Sequence, residues 1–381
     1  MRGHIEHRGK DRWRILIDIG RDAAGKRRRL SHSVHGTRKQ AEAELARLLH
    51  EMATDVYVPA NGLLMQEYLE KWLAHAKTNV APQTYTRYAQ SVNNELIPAF
   101  GTTKLADLSP LQIQSYLNRT LGRKRLNRPG EISAQTTVHF FHVLRRTLNQ
   151  AVRWQLLMRN PCGSVDPPKV QRAEMKALED VQLHGFLAAI RDSRFYGPTL
   201  LAATTGLRRG EILGLRWADL DLDRGECRVT RSLQETPEGV SVRSPKTRKS
   251  RRLVLLPHVA IRMLQAHQTV QEAERALLGE GYGDDDLVFP KPDGSPWNPS
   301  QFSSDFSRLA RRHGLTVRFH DLRHTHASQL LRAGVPIKVV SERLGHATAS
   351  ITLDVYSHVL PGMQAEAVAK IDAAWKEAAA S

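Results

Sequence analysis

Residues 316–358 read TVRFHDLRHTHASQLLRAGVPIKVVSERLGHATASITLDVYSH. Four side chains in this stretch carry a chemistry together that none carries alone: His320 and Arg323 in HDLR, His346 in LGH, and Tyr356 in DVY. A tyrosine hydroxyl has a reference pKa of about 10. Near neutrality it attacks only when a neighbour takes its proton or stabilises the phenolate. If the electrophile is a phosphodiester, cations must meet the charge that builds on the non-bridging oxygens. Arginine suits that task, because its planar fork binds two phosphate oxygens at once and stays charged. Histidine donates a hydrogen bond or moves a proton near neutral pH. Arg, His and Tyr therefore make a kit for phosphoryl transfer without a metal, provided the fold gathers them.

Two upstream motifs extend the set. TTGLRRGEILGLRWADLD contains Arg208 after Thr205-Gly206-Leu207, and SPKTRKSRRLVLL places Lys246 between two strand-like runs. The order TGLRRGE, PKT, HDLRH, LGH, and then a tyrosine ten positions on, resembles the tyrosine recombinase (phage integrase) family. That resemblance implies a clamp of Arg208 and Arg323 on a scissile phosphate, with His320 and His346 assisting. It implies that Lys246 protonates the leaving 5′ oxygen and that Tyr356 is the nucleophile. The energy of the broken bond would be kept in a 3′-phosphotyrosyl link, so neither ATP, metal nor other cofactor is implied. His326 departs from the pattern, since the family usually has an aromatic or apolar residue there. It reads as a packing or supporting residue.

The chain has 381 residues, enough for two or three domains. Lys plus Arg number 56 against 39 Asp plus Glu, a net charge of +17, which suits a polyanionic partner such as double-stranded DNA. Two cysteines, Cys162 and Cys227, are too few for a disulfide framework or a structural zinc site. No stretch resembles a signal peptide or approaches the ~20 apolar residues of a membrane span. The expectation is a soluble, cytoplasmic, nucleoid-associated protein with no membrane partner.

The expected architecture is multidomain and mainly α, with small β-sheets. Residues 1–57 read as a sheet plus helix. Trp13, Ile15, Ile17 and Ile19 alternate as one strand face, a basic strand holds Arg27, Arg28 and Arg29, and Thr37 with Gln40 opens a helix. This resembles the three-stranded arm-type DNA-binding domain of phage and conjugative-element integrases. Residues 58–170 carry four helical patterns, over Leu63–His75, Gln83–Leu96, and after the caps Ser109 and Ser133. They resemble the family's helical, SAM-like core-binding domain, with Arg123, Lys124 and Arg125 in a basic loop. Residues 171–381 form the expected mixed α+β catalytic domain. Strands are expected at Cys227–Leu233, Val240–Arg243 and Arg252–Leu256, with Lys246 in a loop, and a helix is capped by Asn298. Lys249, Arg251 and Arg252 read as DNA-backbone contacts.

In the tail, 361–381, Met363, Ala367, Ile371 and Trp375 make an apolar stripe that folds back or docks on a neighbour. The resemblance favours the neighbour and implies a homotetramer on DNA, with an excisionase and a DNA-bending accessory protein as partners. Other readings stay open at this stage. Ile337–Tyr356 is compatible with a helix-turn-helix reader, and His320, His324 and His326 with a metal site. A catalytically idle regulator and a type IB topoisomerase-like relaxase share the motifs. The N-terminal basic sheet favours bipartite, site-specific binding, and so an integrase of a phage or conjugative element.

Overall fold

The computed structural model describes residues 3–9, 11–21, 27–53, 62–125, 129–171, 177–236, 239–243, 251–283, 285–346 and 348–356, with parts of the tail between 368 and 378. The chain divides into two compact units, Met1–Arg172 and Ala173–Ser381.

The first unit opens with an antiparallel sheet in the order β1 (Gly3–Gly9), β2 (Arg12–Arg21), β3 (Arg27–His35). On the expected β2 face Trp13 is half-buried, and the side chain of Ile19 lies outside the described residues. Ile15 and Ile17 are fully buried, against Ile5, Val34, Leu45 and Leu49. The last two lie on α1 (Arg38–Ala53), whose start is capped reciprocally. Gln40 Oε1 accepts from the Thr37 amide at 2.8 Å and Thr37 Oγ1 accepts from the Gln40 amide at 3.3 Å.

A second hydrophobic core in this unit is built by α2 (Met65–Asn79), α3 (Pro82–Ser91), α4 (Ile97–Phe100), α5 (Pro110–Thr120) and α6 (Ala134–Arg153). Tyr68, Leu69, Ile113, Leu117, Phe141, Leu144 and Leu148 fill it. The caps Ser109 and Ser133 accept from the Gln112 and Thr136 amides. The helix expected over Gln83–Leu96 instead ends at Ser91 and passes through a π turn over Val92–Leu96. Pro98 follows at once; it brings no amide, so the preceding ladder re-spaces. On α6 the buried stripe takes Thr137, Val143, Thr147 and Ala151, with Val138 and Val152 only half-buried. Thr147 tolerates burial because its hydroxyl donates to the Leu144 carbonyl at 2.7 Å.

The second unit begins with α7 (Asp180–Ala189), α8 (Tyr196–Thr205) and α9 (Arg209–Leu213). Then come β4 (Leu220–Asp221), β5 (Glu226–Val229), β6 (Ser232–Thr236), β7 (Gly239–Arg243) and β8 (Arg252–Leu255). The strand expected over Cys227–Leu233 is in fact two, in different sheets: β4-β5-β8, and the hairpin β6-β7. The break falls where Thr230 and Arg231 turn to bond the buried Asp219 carboxylate, at 2.9 and 3.3 Å.

The long α10 (His258–Leu278) follows, a helix the sequence reading passed over. Only Ala260, Met263 and Leu264 are buried along its 21 residues, so its periodicity is faint. α11 (Pro299–Arg312) is capped by Asn298, as expected, and Gly314 beyond it is left-handed. α12 (Asp321–Arg332), α13 (Ile337–Leu344) and α14 (Ala349–Tyr356) complete the unit. Phe302 and Phe306 of α11 meet Phe319 edge-on, both with centroids 5.1 Å apart, and so seat the residue immediately before HDLR. Among the described residues no helix is long and apolar enough to cross a membrane.

Candidate active site

Two left-handed glycines build the site. Gly206 ends α8 at φ 69° and Gly345 ends α13 at φ 68°, a conformation that carries a penalty for residues with a Cβ. Their carbonyls turn toward arginines from other motifs. Arg323, on α12, is 3% exposed and donates to the Gly206 carbonyl and to the Leu344 carbonyl, both at 2.7 Å. Arg208, at the start of α9, donates to the Gly345 carbonyl at 3.0 Å. TGLR, HDLR and LGH are thereby fastened to one another through guanidinium–carbonyl bonds.

Glu211 anchors the other side. It lies on the first turn of α9 and is 5% exposed. Arg208 Nη1 reaches its Oε1 at 2.8 Å, and Arg252 binds it through two nitrogens, at 3.1 and 2.9 Å. Burial alone would raise the Glu211 carboxyl. Hydrogen bonds and charge from Arg252, then Arg208, bring it below its usual range instead. Arg252 also donates to the Arg343 carbonyl at 2.8 Å. This corrects the reading of Arg252 as a DNA-backbone contact: its side chain is 7% exposed and spent on Glu211 and the LGH turn. The sequence held one signal for Glu211, an acid three residues after the residue that opens a helix.

The histidines take different places. His346 bonds Thr352 Oγ1 through Nδ1 at 2.8 Å. Burial, with Arg323 and Arg208 adding to it, pushes its pKa down to about 4. His320 keeps an open face to solvent. Its pKa also falls to about 4, through desolvation by its packed surroundings and the nearness of His324 and Arg323. Both rings are therefore neutral near pH 7 and feel the same two arginines. Arg323 is held by carbonyls, which do not cancel its charge, and the single carboxylate of Glu211 is shared between Arg208 and Arg252, so the cluster keeps a net positive charge and is suited to an anion.

His326 is buried and makes no part of that cluster: one ring nitrogen bonds the Ala203 carbonyl at 3.0 Å and the other accepts from Arg343 Nε at 3.1 Å. Both of its ring nitrogens are thus taken by protein partners, which leaves His326 none to offer a metal. The helix-turn-helix reading traces the path of α13 and α14 correctly, but the carbonyls of its turn face inward onto Arg323 and Arg208. Tyr356 is the last residue of α14 and its side chain lies outside the described residues, as do Lys246 and Lys249.

Comparison with known proteins decides the family. A model described as the phage integrase family matches residues 172–362, and one for its N-terminal SAM-like domain matches residues 64–121. The chain belongs to the phage integrase family. It is a tyrosine-type, site-specific DNA recombinase, an enzyme of strand breakage and rejoining. Among its relatives, a XerC-like tyrosine recombinase of Caldanaerobacter subterraneus is 30% identical, over 94% of this chain and 95% of the relative. The ICEBs1 integrase of Bacillus subtilis is 26% identical, over 94% and 96%. The fold matches a Tn1549 transposon integrase solved with a circular-intermediate DNA at a TM-score of 0.69 and 18% identity, covering 81% of this chain and 99% of that one.

The recombinase's other basic candidates differ in their freedom. Arg27, Arg28 and Arg29 lie on β3, with side chains outside the described residues. Arg123 is held by Glu95 through one nitrogen at 2.7 and 2.6 Å, and Arg125 donates to the Glu131 carbonyl at 3.1 Å. Lys124 and Arg251 are exposed.

Proposed function

We propose that this recombinase is the integrase of a phage or conjugative element, cutting and resealing DNA through a 3′-phosphotyrosyl intermediate. The observation that carries the reading is the joining of Arg208, Arg323 and the His346 turn through the Gly206, Leu344 and Gly345 carbonyls. Arg208 and Arg323 bind the non-bridging oxygens of the scissile phosphate. His320 and His346, neutral before DNA arrives, donate hydrogen bonds to the same oxygens. Tyr356 forms the new O–P bond as its phenol proton passes to the unprotonated ring nitrogen of a neutral histidine of the cluster, and the P–O5′ bond breaks. Lys246 gives its proton to the departing 5′ oxygen. A 5′ hydroxyl of the partner duplex then attacks the phosphotyrosine, reseals the strand and frees the phenol. The bond count is conserved, so the cycle needs neither ATP nor metal.

Residues 1–57 bind arm-type sites, 58–170 bind the core site and 171–381 catalyse. Two separate hydrophobic cores before residue 172 support that division. Arg27–Arg29, Arg123, Lys124, Arg125, Lys249 and Arg251 contact the DNA backbone. The described tail residues are helical, with Val368, Ile371 and Trp375 exposed, which supports docking on another copy in a tetramer. An excisionase and a DNA-bending protein assist in the cytoplasm. The role of Lys246 is tested with DNA carrying sulfur at the 5′ bridging position, which leaves without a proton. Lys246→Ala should cut that substrate at near the wild-type rate and ordinary DNA far more slowly; equal loss on both would contradict the role.

A further inference from the structure

We propose that His326 and Arg343 are a pair of positioning residues that hold the LGH turn, and with it His346 and the Arg323 clamp, in cutting geometry. Arg343 stands one residue before the Leu344 carbonyl that receives Arg323. Its Nε donates to His326 Nε2 at 3.1 Å, and its Nη2 donates to the Thr204 carbonyl and the Leu255 carbonyl, each at 3.1 Å. One guanidinium thus ties α13 to α8, β8 and α12. Each tie ends beside a residue of the proposed site. Thr204 precedes Gly206, whose carbonyl holds Arg323, and β8 carries Arg252, which grips Glu211 and the Arg343 carbonyl.

His326 serves this only in one form. The Ala203 carbonyl can only accept, so the Nδ1 facing it at 3.0 Å carries the proton. Nε2 is then bare and accepts from Arg343. A protonated ring would set N–H against N–H and a cation against a guanidinium. The cationic and titratable groups around it agree: Arg343 comes from α13 and Arg323 from α12, while His184 of α7 and Arg191, two residues beyond that helix, line the cavity beside it. An aromatic residue at 326 would fill the space but leave the Arg343 Nε–H without this acceptor.

The inference rests on the reading of Arg208, Arg323 and His346 as the phosphate site, and its test separates the two. Wild type, His326→Phe, His326→Gln and Arg343→Leu are compared with the double variant His326→Phe/Arg343→Leu. The reading is the rate of covalent protein–DNA adduct formation at saturating DNA, with DNA affinity measured in parallel. Misplacing a site by about 1 Å costs up to roughly 10²-fold, so each apolar single variant should lose about 10- to 100-fold in rate while affinity stays within twofold. The double variant should be no slower than the worse single. His326→Gln, which keeps both an acceptor and a donor, should recover most of the rate. Should His326→Phe not fold, the Gln variant and Arg343→Leu decide the matter. Wild-type rates in the single variants, losses that multiply in the double, or a Gln variant as slow as the Phe would overturn the pair. No adduct from the wild type would overturn the reading of the site, and the pair with it.

Discussion

Glu211 shows what a single residue does here. Its carboxylate sits between Arg208 and Arg252, and both it and Arg252 are almost fully buried. Glu211→Leu leaves two guanidiniums facing an apolar side chain. Removing one partner from a buried pair costs about 3–5 kcal/mol; denaturant unfolding should show a loss of that order, together with slowed DNA cleavage. The histidines set a pH dependence. In the unfolded chain their pKa is about 6.5, whereas His326 and His346 fall to about 4 when folded. Between those values the unfolded state binds protons that the folded state refuses, so stability rises with pH there. Without DNA, the melting temperature should hold above about pH 6.5 and fall as pH drops toward 4. His326→Phe should shallow that fall, and a melting temperature flat across the range would contradict the assignment.

At the level of elements, the glycine caps carry the site. A Cβ on Gly206 would lie 2.6 Å from Leu344 Cδ2 and 2.8 Å from His326 Cδ2, at a φ of 69°. Gly206→Ala should lose about 1–2 kcal/mol from the backbone alone and should also slow cleavage, because the carbonyl that holds Arg323 must move. Gly314 is a useful contrast: its φ is 74° but nothing lies within 4 Å of an added Cβ. Gly314→Ala should cost the strain and leave the cleavage rate of the folded protein unchanged. Unfolding curves and adduct kinetics on both variants separate the two effects.

The same elements show what was legible beforehand. The caps at Thr37, Ser109, Ser133 and Asn298 are local, so short sequence patterns reveal them. The motif order revealed the family. The burial of Arg252 was not legible, because its partner Glu211 lies 41 residues away and the surrounding run of cations looks like a solvated face. Nor was the job of His326, whose partners Ala203 and Arg343 come from two other helices. The split of β5 from β6 depends on Asp219, a buried acid with no local signature.

At the scale of the whole molecule, the net charge of +17 makes DNA affinity depend steeply on salt. Each neutralised phosphate adds about −0.9 to the slope of log K against log salt on duplex DNA. Deleting residues 1–57 should remove arm-type binding and the share of that slope owed to the basic strand of β3. Cleavage of an isolated core site should survive, since Arg208, Arg323 and His346 all lie after residue 173. Titrations on arm and core fragments at several salt concentrations test this; loss of core-site cleavage on deletion would contradict it.

The proposed mechanism turns on one bond, between Tyr356 and DNA. The most direct measurement incubates wild type and Tyr356→Phe, without magnesium, with a plasmid carrying the DNA that flanks the gene, and looks for an adduct released by protease. An adduct should form with the wild type alone and map to Tyr356. An adduct from both proteins would contradict the assignment of the nucleophile, and tight binding by the wild type with no adduct would contradict the covalent mechanism.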